Sequence, residues 1–94
     1  MKGYLFEWDA AKAEANRRKH AVTFEEAATA FGDPLAVLLP DPDHSVREQR
    51  YLVLGMSNQR RLLVIAFAER PPRTRLISAR RATRKERRKY EEEG

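Results

Sequence analysis

No cysteine occurs among the 94 residues, which excludes disulfide scaffolds, thiolate zinc sites and thiol nucleophiles together. Histidine is scarce. His20 and His44 are the only two, so a zinc site made by this chain would need carboxylates at unusual spacings. Four glycines are too few for a glycine-rich phosphate loop, and neither a His-Glu-x-x-His pattern nor a nucleophile elbow is present. Long apolar runs are missing as well. The longest, Leu35–Leu39 and Leu62–Ala68, fall far short of the ~18 residues needed to span a bilayer. Near the start, Glu7 and Asp9 stand where a signal peptide would need its apolar stretch. The expectation is a cytoplasmic protein with no membrane association, no metal and no cofactor.

What the chain has in excess is positive charge. Lys plus Arg outnumber Asp plus Glu by 19 to 14, and the imbalance is uneven. Residues 1–46 carry five basic and eight acidic side chains, whereas residues 47–94 carry fourteen and six. Between Arg73 and Lys89 there are nine Lys or Arg and one acid, Glu86. Basic charge gathered in one segment is the electrostatic footprint of a polyanion partner. Arginine dominates, twelve to two, across residues 47–94. Its planar fork grips phosphate bidentately, whereas lysine would suffice for solubility.

The pattern along the chain predicts a single α+β domain over residues 1–94. Tyr4–Trp8 alternates and reads as a short strand with Tyr4, Phe6 and Trp8 on one face. Asp9 caps a helix over Ala10–His20, with Ala11 and Ala15 expected on its sheet-facing side. Thr23-Phe24-Glu25-Glu26 is a capping box, in which Glu26 should reach back to the cap amide. Phe24, Ala27, Ala28 and Phe31 follow as one helical stripe, and Gly32 is expected as a left-handed stop before Asp33-Pro34. The period then changes to two. Strands are predicted over Leu35–Leu39, Arg50–Ser57, Arg61–Glu69 and Thr74–Arg80, and the short connections make a four-stranded antiparallel meander. Thr83-Arg84-Lys85-Glu86 is a second capping box and opens a terminal helix to about Glu92.

That terminal helix is charged the wrong way round. Arg84, Lys85, Arg87, Arg88 and Lys89 lie early and Glu91–Glu93 late, against the macrodipole preference of ~0.3–1 kcal/mol per placement. Positive charge is evidently wanted where the last strand meets this helix, and Arg80 and Arg81 extend the same patch.

Several side chains qualify for chemistry. Strict alternation in the last strand puts Leu76, Ser78 and Arg80 on one face and Arg75, Ile77, Ala79 and Arg81 on the other. Arg80 then either reaches past the core rim into a cleft or is paired there. Arg50 and Arg61 open neighbouring strands and should lie at opposite ends of that pair. His20 closes the first helix behind Arg17-Arg18-Lys19, as a C-terminal cap or a proton carrier. His44 sits in the Asp41-Pro42-Asp43-His44 loop, whose spacing matches no specific metal site. Tyr90 is either a core anchor or a stacking platform for a base. Such residues are adequate for metal-free RNA cleavage, in which the 2′-hydroxyl attacks and the protein supplies an acid, a base and cations.

Phe6-Glu7-Trp8-Asp9, Lys12, Asn16, Lys19-His20, Val22, Phe24-Glu25-Glu26-Ala27, Phe31 and Asp33-Pro34 together resemble the BrnT toxins of bacterial type II toxin–antitoxin systems. The second half agrees in Asp41-Pro42-Asp43-His44, Arg50, Gly55, Ser57, Arg61, Ile77-Ser78-Ala79-Arg80-Arg81-Ala82-Thr83, Glu86 and Tyr90. One departure is the turn Asn58-Gln59-Arg60-Arg61, which lacks the family's glycine. The resemblance implies a RelE-like fold and a metal-independent ribonuclease that blocks translation. It also implies a BrnA antitoxin of ribbon-helix-helix type, through which alone the toxin meets operator DNA. Carried over residue by residue, it implies a catalytic set of Lys19, His20, Arg50, Arg61 and Arg80. In that set His20 exchanges protons, Arg61 and Arg80 are phosphate cations, and Arg50 positions. RNA contacts would come from His44, Arg75, Arg81, Arg84, Arg88 and Tyr90.

A non-catalytic basic module, docking nucleic acid or an acidic protein, shares the same charge and fold and differs only in turnover. A DNA-reading factor fits less well, because the basic helix follows a strand with no helix-turn-helix spacing before it.

Overall fold

The computed structural model describes residues 4–40 and 49–93. The elements follow the predicted order. They are β1 (Phe6–Glu7), α1 (Ala10–His20), α2 (Phe24–Ala30), β2 (Val37–Pro40), β3 (Arg50–Met56), β4 (Leu62–Arg70), β5 (Arg73–Arg81) and α3 (Arg84–Glu93). β2 to β5 form the expected antiparallel meander. The sheet nevertheless has five strands and is mixed, in the order β1-β5-β4-β3-β2. β1 joins it parallel to β5, with Phe6 opposite Thr74 and Glu7 opposite Arg75. The four-stranded expectation is thereby corrected: two residues of strand are too few to signal pairing in a sequence, and the Thr74 amide donating to Leu5 O at 2.8 Å secures them.

Helices cover the sheet from both sides. On one face α1 and α2 enclose Val22, Phe24, Ala27, Ala30, Val53, Leu63, Ile65, Phe67, Leu76 and Ala79. Aromatic rings extend this core: Phe6 meets Phe31 edge-on at 5.0 Å, Phe31 meets Phe67 at 5.1 Å, and Trp8 meets Phe24 at 5.8 Å. On the other face Tyr90 of α3 closes a smaller core of Val37, Leu54, Leu62 and Val64. Gly55 lets α2 approach β3, since a Cβ there would lie 2.8 Å from the Ala30 carbonyl oxygen.

Local signals hold in part. Asp9 caps α1 by accepting the Lys12 amide at 2.9 Å, and Thr23 caps α2 by accepting the Glu26 amide at 3.0 Å. Ala11 and Ala15, however, are exposed, and Ala13 and Asn16 form the inward side of α1. Asn16 is the more consequential. Its Nδ2 donates to the carbonyls of Val22 (3.0 Å) and Ala79 (2.9 Å), while its Oδ1 accepts the Ala79 amide at 3.0 Å. β1 pairs with only the first part of β5, so this side chain occupies backbone groups on the remaining free edge. Gly32 is not left-handed. The α2 terminus tightens instead through bonds from the amides of Phe31, Gly32 and Asp33 to the carbonyls of Ala28, Thr29 and Ala30. In the β3–β4 turn Arg60 takes φ 62°, a conformation that glycine would adopt more cheaply.

Candidate active site

The last strand carries the main correction. Ala66 pairs with Ser78 but Phe67 pairs with Leu76, which leaves Ile77 as an unpaired, bulged residue. Alternation therefore breaks. Leu76, Ala79 and Arg81 face α1 and α2, whereas Arg75, Ser78 and Arg80 share the α3 side with Ala68, Ala66 and Val64 of β4. Strict alternation had placed Leu76 with Arg80 and Arg75 opposite it. Arg50 is also on the α3 side, across Ala68 from Arg75.

Arg80 is paired. Its Nη1 and Nη2 donate to Oε1 and Oε2 of Glu86, both at 2.8 Å, and Nη1 also approaches the Arg81 carbonyl at 3.3 Å. This fork-to-fork contact is the strong form of the ion pair. Partial burial opposes ionisation of Glu86, yet the Arg80 guanidinium, helped by the Thr83 amide and hydroxyl, holds its carboxyl down at about 2. The capping box places Glu86 there. Thr83 N–H donates to Glu86 Oε1 at 2.8 Å and Glu86 N–H to Thr83 Oγ1 at 3.2 Å. The guanidinium keeps 40% of its side chain exposed, so donors remain for an anion.

Lys19 and His20 end α1 and line a shallow cleft of about 230 Å³ with Lys12, Asn16, Ile77 and Ser78. The left-handed cap of α1 is Ala21, at φ 58°, so His20 is the last helical residue and is half-buried. Lys12 and Ser78 are additions to the predicted set. Their signal was available: Lys12, Asn16 and Lys19 recur at i, i+4 and i+7, one face of a helix, and Ser78 precedes Arg80 by one full strand repeat.

The other predicted residues scatter. Arg61 stands at the far end of the β3–β4 pair from Arg50, as expected, and is committed to Glu26: its Nε donates to Oε2 at 2.9 Å and its Nη2 bonds Oε1. Ser57 donates to the same carboxylate at 2.6 Å. Arg61 chiefly, with Ser57, lowers the pKa of Glu26 against the effect of burial. Glu26 thus does not complete its capping box as predicted. Arg75 reaches Glu7 at 3.4 Å. Arg81, Arg84 and Arg88 are exposed, with Arg81 on the α1–α2 side. Tyr90 is buried and donates to Asp33 Oδ2 at 2.6 Å, the arrangement of an anchor for α3. His44, with Asp41 and Asp43, lies outside the described residues. Among the described residues no helix is long and apolar enough to cross a membrane.

Comparison with known proteins adds a family. The family model described as "Ribonuclease toxin, BrnT, of type II toxin-antitoxin system" matches residues 8–86. The fold is similar to that of the Brucella abortus ribonuclease toxin BrnT in a crystal structure at 1.1 Å resolution. That similarity has a TM-score of 0.68 at 23% sequence identity and covers 87% of this chain and 100% of the other. No curated protein matches.

Proposed function

The chain belongs to the BrnT family of ribonuclease toxins of type II toxin–antitoxin systems, and on that premise we propose a metal-independent endoribonuclease whose site lies where the end of α1 meets β5. The observation that carries this reading is the cleft that Lys19 and His20 share with Ser78 at the edge of the sheet, with Arg80 two residues further along the same strand, on its α3 side.

The reaction is a transesterification within RNA. The ribose 2′-oxygen loses its proton and bonds to the adjacent phosphorus, and the bond from phosphorus to the 5′-oxygen breaks. A 2′,3′-cyclic phosphate and a 5′-hydroxyl result. His20 exchanges protons with these oxygens, imidazole being the side-chain type best suited to carry protons in both directions. Lys19 and Arg80 offset the charge that builds on the phosphorane oxygens. Arg50 and Arg75, flanking Ala68 on the face that carries Arg80, follow the backbone of the bound strand, and Arg84 and Arg88 extend the positive field along α3. Arg61 and Tyr90 are left out of direct contact with RNA in this reading.

In its biological setting the enzyme acts in the cytoplasm on RNA needed for translation. A BrnA-type ribbon-helix-helix antitoxin neutralises it, and operator DNA is reached only through that partner. The helix–sheet arrangement is of the kind used by RelE ribonucleases.

The test is incubation of the purified chain with labelled RNA in excess EDTA, beside Arg80→Ala. Cleavage should persist in chelator and fall ~100-fold or more in the variant, the usual cost of removing a group aimed at transition-state charge. Tight binding without turnover would replace this reading with the non-catalytic module.

A further inference from the structure

Arg61 was expected to be a phosphate cation, and its donors point elsewhere. A guanidinium has five N–H groups. Nε is spent on Glu26 Oε2 at 2.9 Å, and Nη2 on Glu26 Oε1 and on the carbonyl of Ala21 at 3.0 Å, so only Nη1 is uncommitted. Its Glu26 partner is itself 96% buried, being 4% exposed, and a buried carboxylate holds its donors firmly because losing them leaves a desolvated charge. Ser57, donating to Oε2 at 2.6 Å, fixes the carboxylate from a second side.

The significance lies in Ala21. It directly follows His20 and is held left-handed at φ 58°, ψ 33°, a conformation that residues with a Cβ adopt only at a cost. Its own N–H closes the helix on Arg17 O at 2.8 Å. The next carbonyl, that of Val22, is taken by Asn16 at 3.0 Å. Both carbonyls immediately after His20 are therefore tied to side chains, one anchored at the start of β4 and the other bound to β5. A helix C-terminus would otherwise fray at this point.

We infer that Arg61 is a positioning residue: backed by Glu26 and Ser57, it clamps the turn after α1 and so fixes His20 over the cleft without touching RNA. The inference rests on the reading of His20 as the proton carrier. A sub-ångström placement matters there, since a displacement of about 1 Å can cost about 100-fold in rate.

Arg61→Lys separates the two roles, because lysine keeps a charge beside Glu26 but its donors radiate from one nitrogen and cannot span the carboxylate and the Ala21 carbonyl as the planar fork does. The clamp predicts that kcat falls about tenfold or more, while RNA affinity and its salt dependence stay as in the wild type. It also predicts that Arg61→Lys changes the residual rate of a His20→Ala background by less than about twofold, the two residues acting through one path. A raised KM with a salt slope smaller by about 0.7, the mark of a lost phosphate contact on a single strand, would overturn it. So would additivity with His20→Ala. Should Arg61→Lys fail to fold, the unaltered chain serves: on addition of 2′-O-methyl RNA, which cannot be cleaved, the Arg61 Nε–H resonance should stay in place while His20 ring resonances move. Movement of the Arg61 signal would refute the clamp. If the wild type does not cleave RNA at all, the ribonuclease reading itself fails, and that outcome is distinct from a cleaving enzyme whose Arg61 behaves as a phosphate ligand.

Discussion

Arg75 and Arg80 stand on the same face of β5 because Ile77, between them, has no partner on β4. The bulge shifts the pleat by one residue and gathers positive charge on the α3 side. Across β4 from Arg75 stands Arg50, with only the small side chain of Ala68 between them.

Arg75→Ala should therefore weaken RNA binding through electrostatics alone. Its contact with Glu7, at 3.4 Å with a third of each side chain or less exposed, is long and contributes little. The logarithmic salt slope of binding should fall by about 0.7, the value for one phosphate contact on single-stranded RNA, with kcat unchanged. Fluorescence anisotropy across a sodium chloride series reads this directly. An unchanged slope would take Arg75 out of the interface.

The Arg80–Glu86 pair makes stability depend on pH in a defined window. Glu86 titrates at about 2 in the folded chain against an ordinary 4.5. A depressed carboxyl stabilises the fold above its unfolded pKa, so the contribution is complete above pH 4.5 and is lost as pH falls toward about 2. Glu86→Gln should flatten that part of the acid limb in urea unfolding, because glutamine does not titrate. Persistence of the full limb would assign it to other groups.

Tyr90→Phe distinguishes an anchor from a stacking platform. The phenol donates to Asp33 Oδ2 at 2.6 Å, a carboxylate that also accepts the amides of Met56 (2.8 Å) and Leu35 (2.9 Å). Losing a hydrogen bond to a charged group should cost about 1.5–3 kcal/mol, seen as a lower urea midpoint with RNA affinity intact. A stacking platform would show the reverse, since removing an aromatic base platform costs ~1–3 kcal/mol of affinity. The same phenol is pushed up to about 12, first by burial and then by Asp33. Its stabilisation is thus present below the ordinary value of 10.0 and disappears as pH rises from 10.0 to about 12.

Asn16→Leu should destabilise by about 2–4 kcal/mol, because the Ala79 amide and carbonyl and the Val22 carbonyl all lose their buried partner. It should also promote self-association, since it uncovers the free edge of β5. Urea unfolding and sedimentation velocity measure the two effects. A variant of near wild-type stability would show that water or neighbouring groups replace the asparagine amide.

Much of this molecule was legible because the physics is local. Asp9 and Thr23 cap helices through amides three residues away, and the unbroken apolar run Leu62–Ala68 marks β4 as a central core strand. The meander follows from short connections. What was misread depended on partners distant in sequence. Ala11 and Ala15 read as the buried side of α1, but α1 turns inward the residue whose amide matches the backbone of Ala79, 63 positions away.

The two Thr-x-x-Glu boxes state the division most clearly. Thr23–Glu26 and Thr83–Glu86 are the same signal, and in both the threonine hydroxyl caps its helix. The sequence by itself determined that much, because a cap is settled within one turn of backbone. Tertiary structure decided where each carboxylate went. Glu86 reaches back to the Thr83 amide and still meets Arg80, whereas buried Glu26 turns to Ser57 and Arg61, 31 and 35 residues on. A carboxylate takes its strongest available donors, and which donors are available is set only when the strands that carry them pack against the helix.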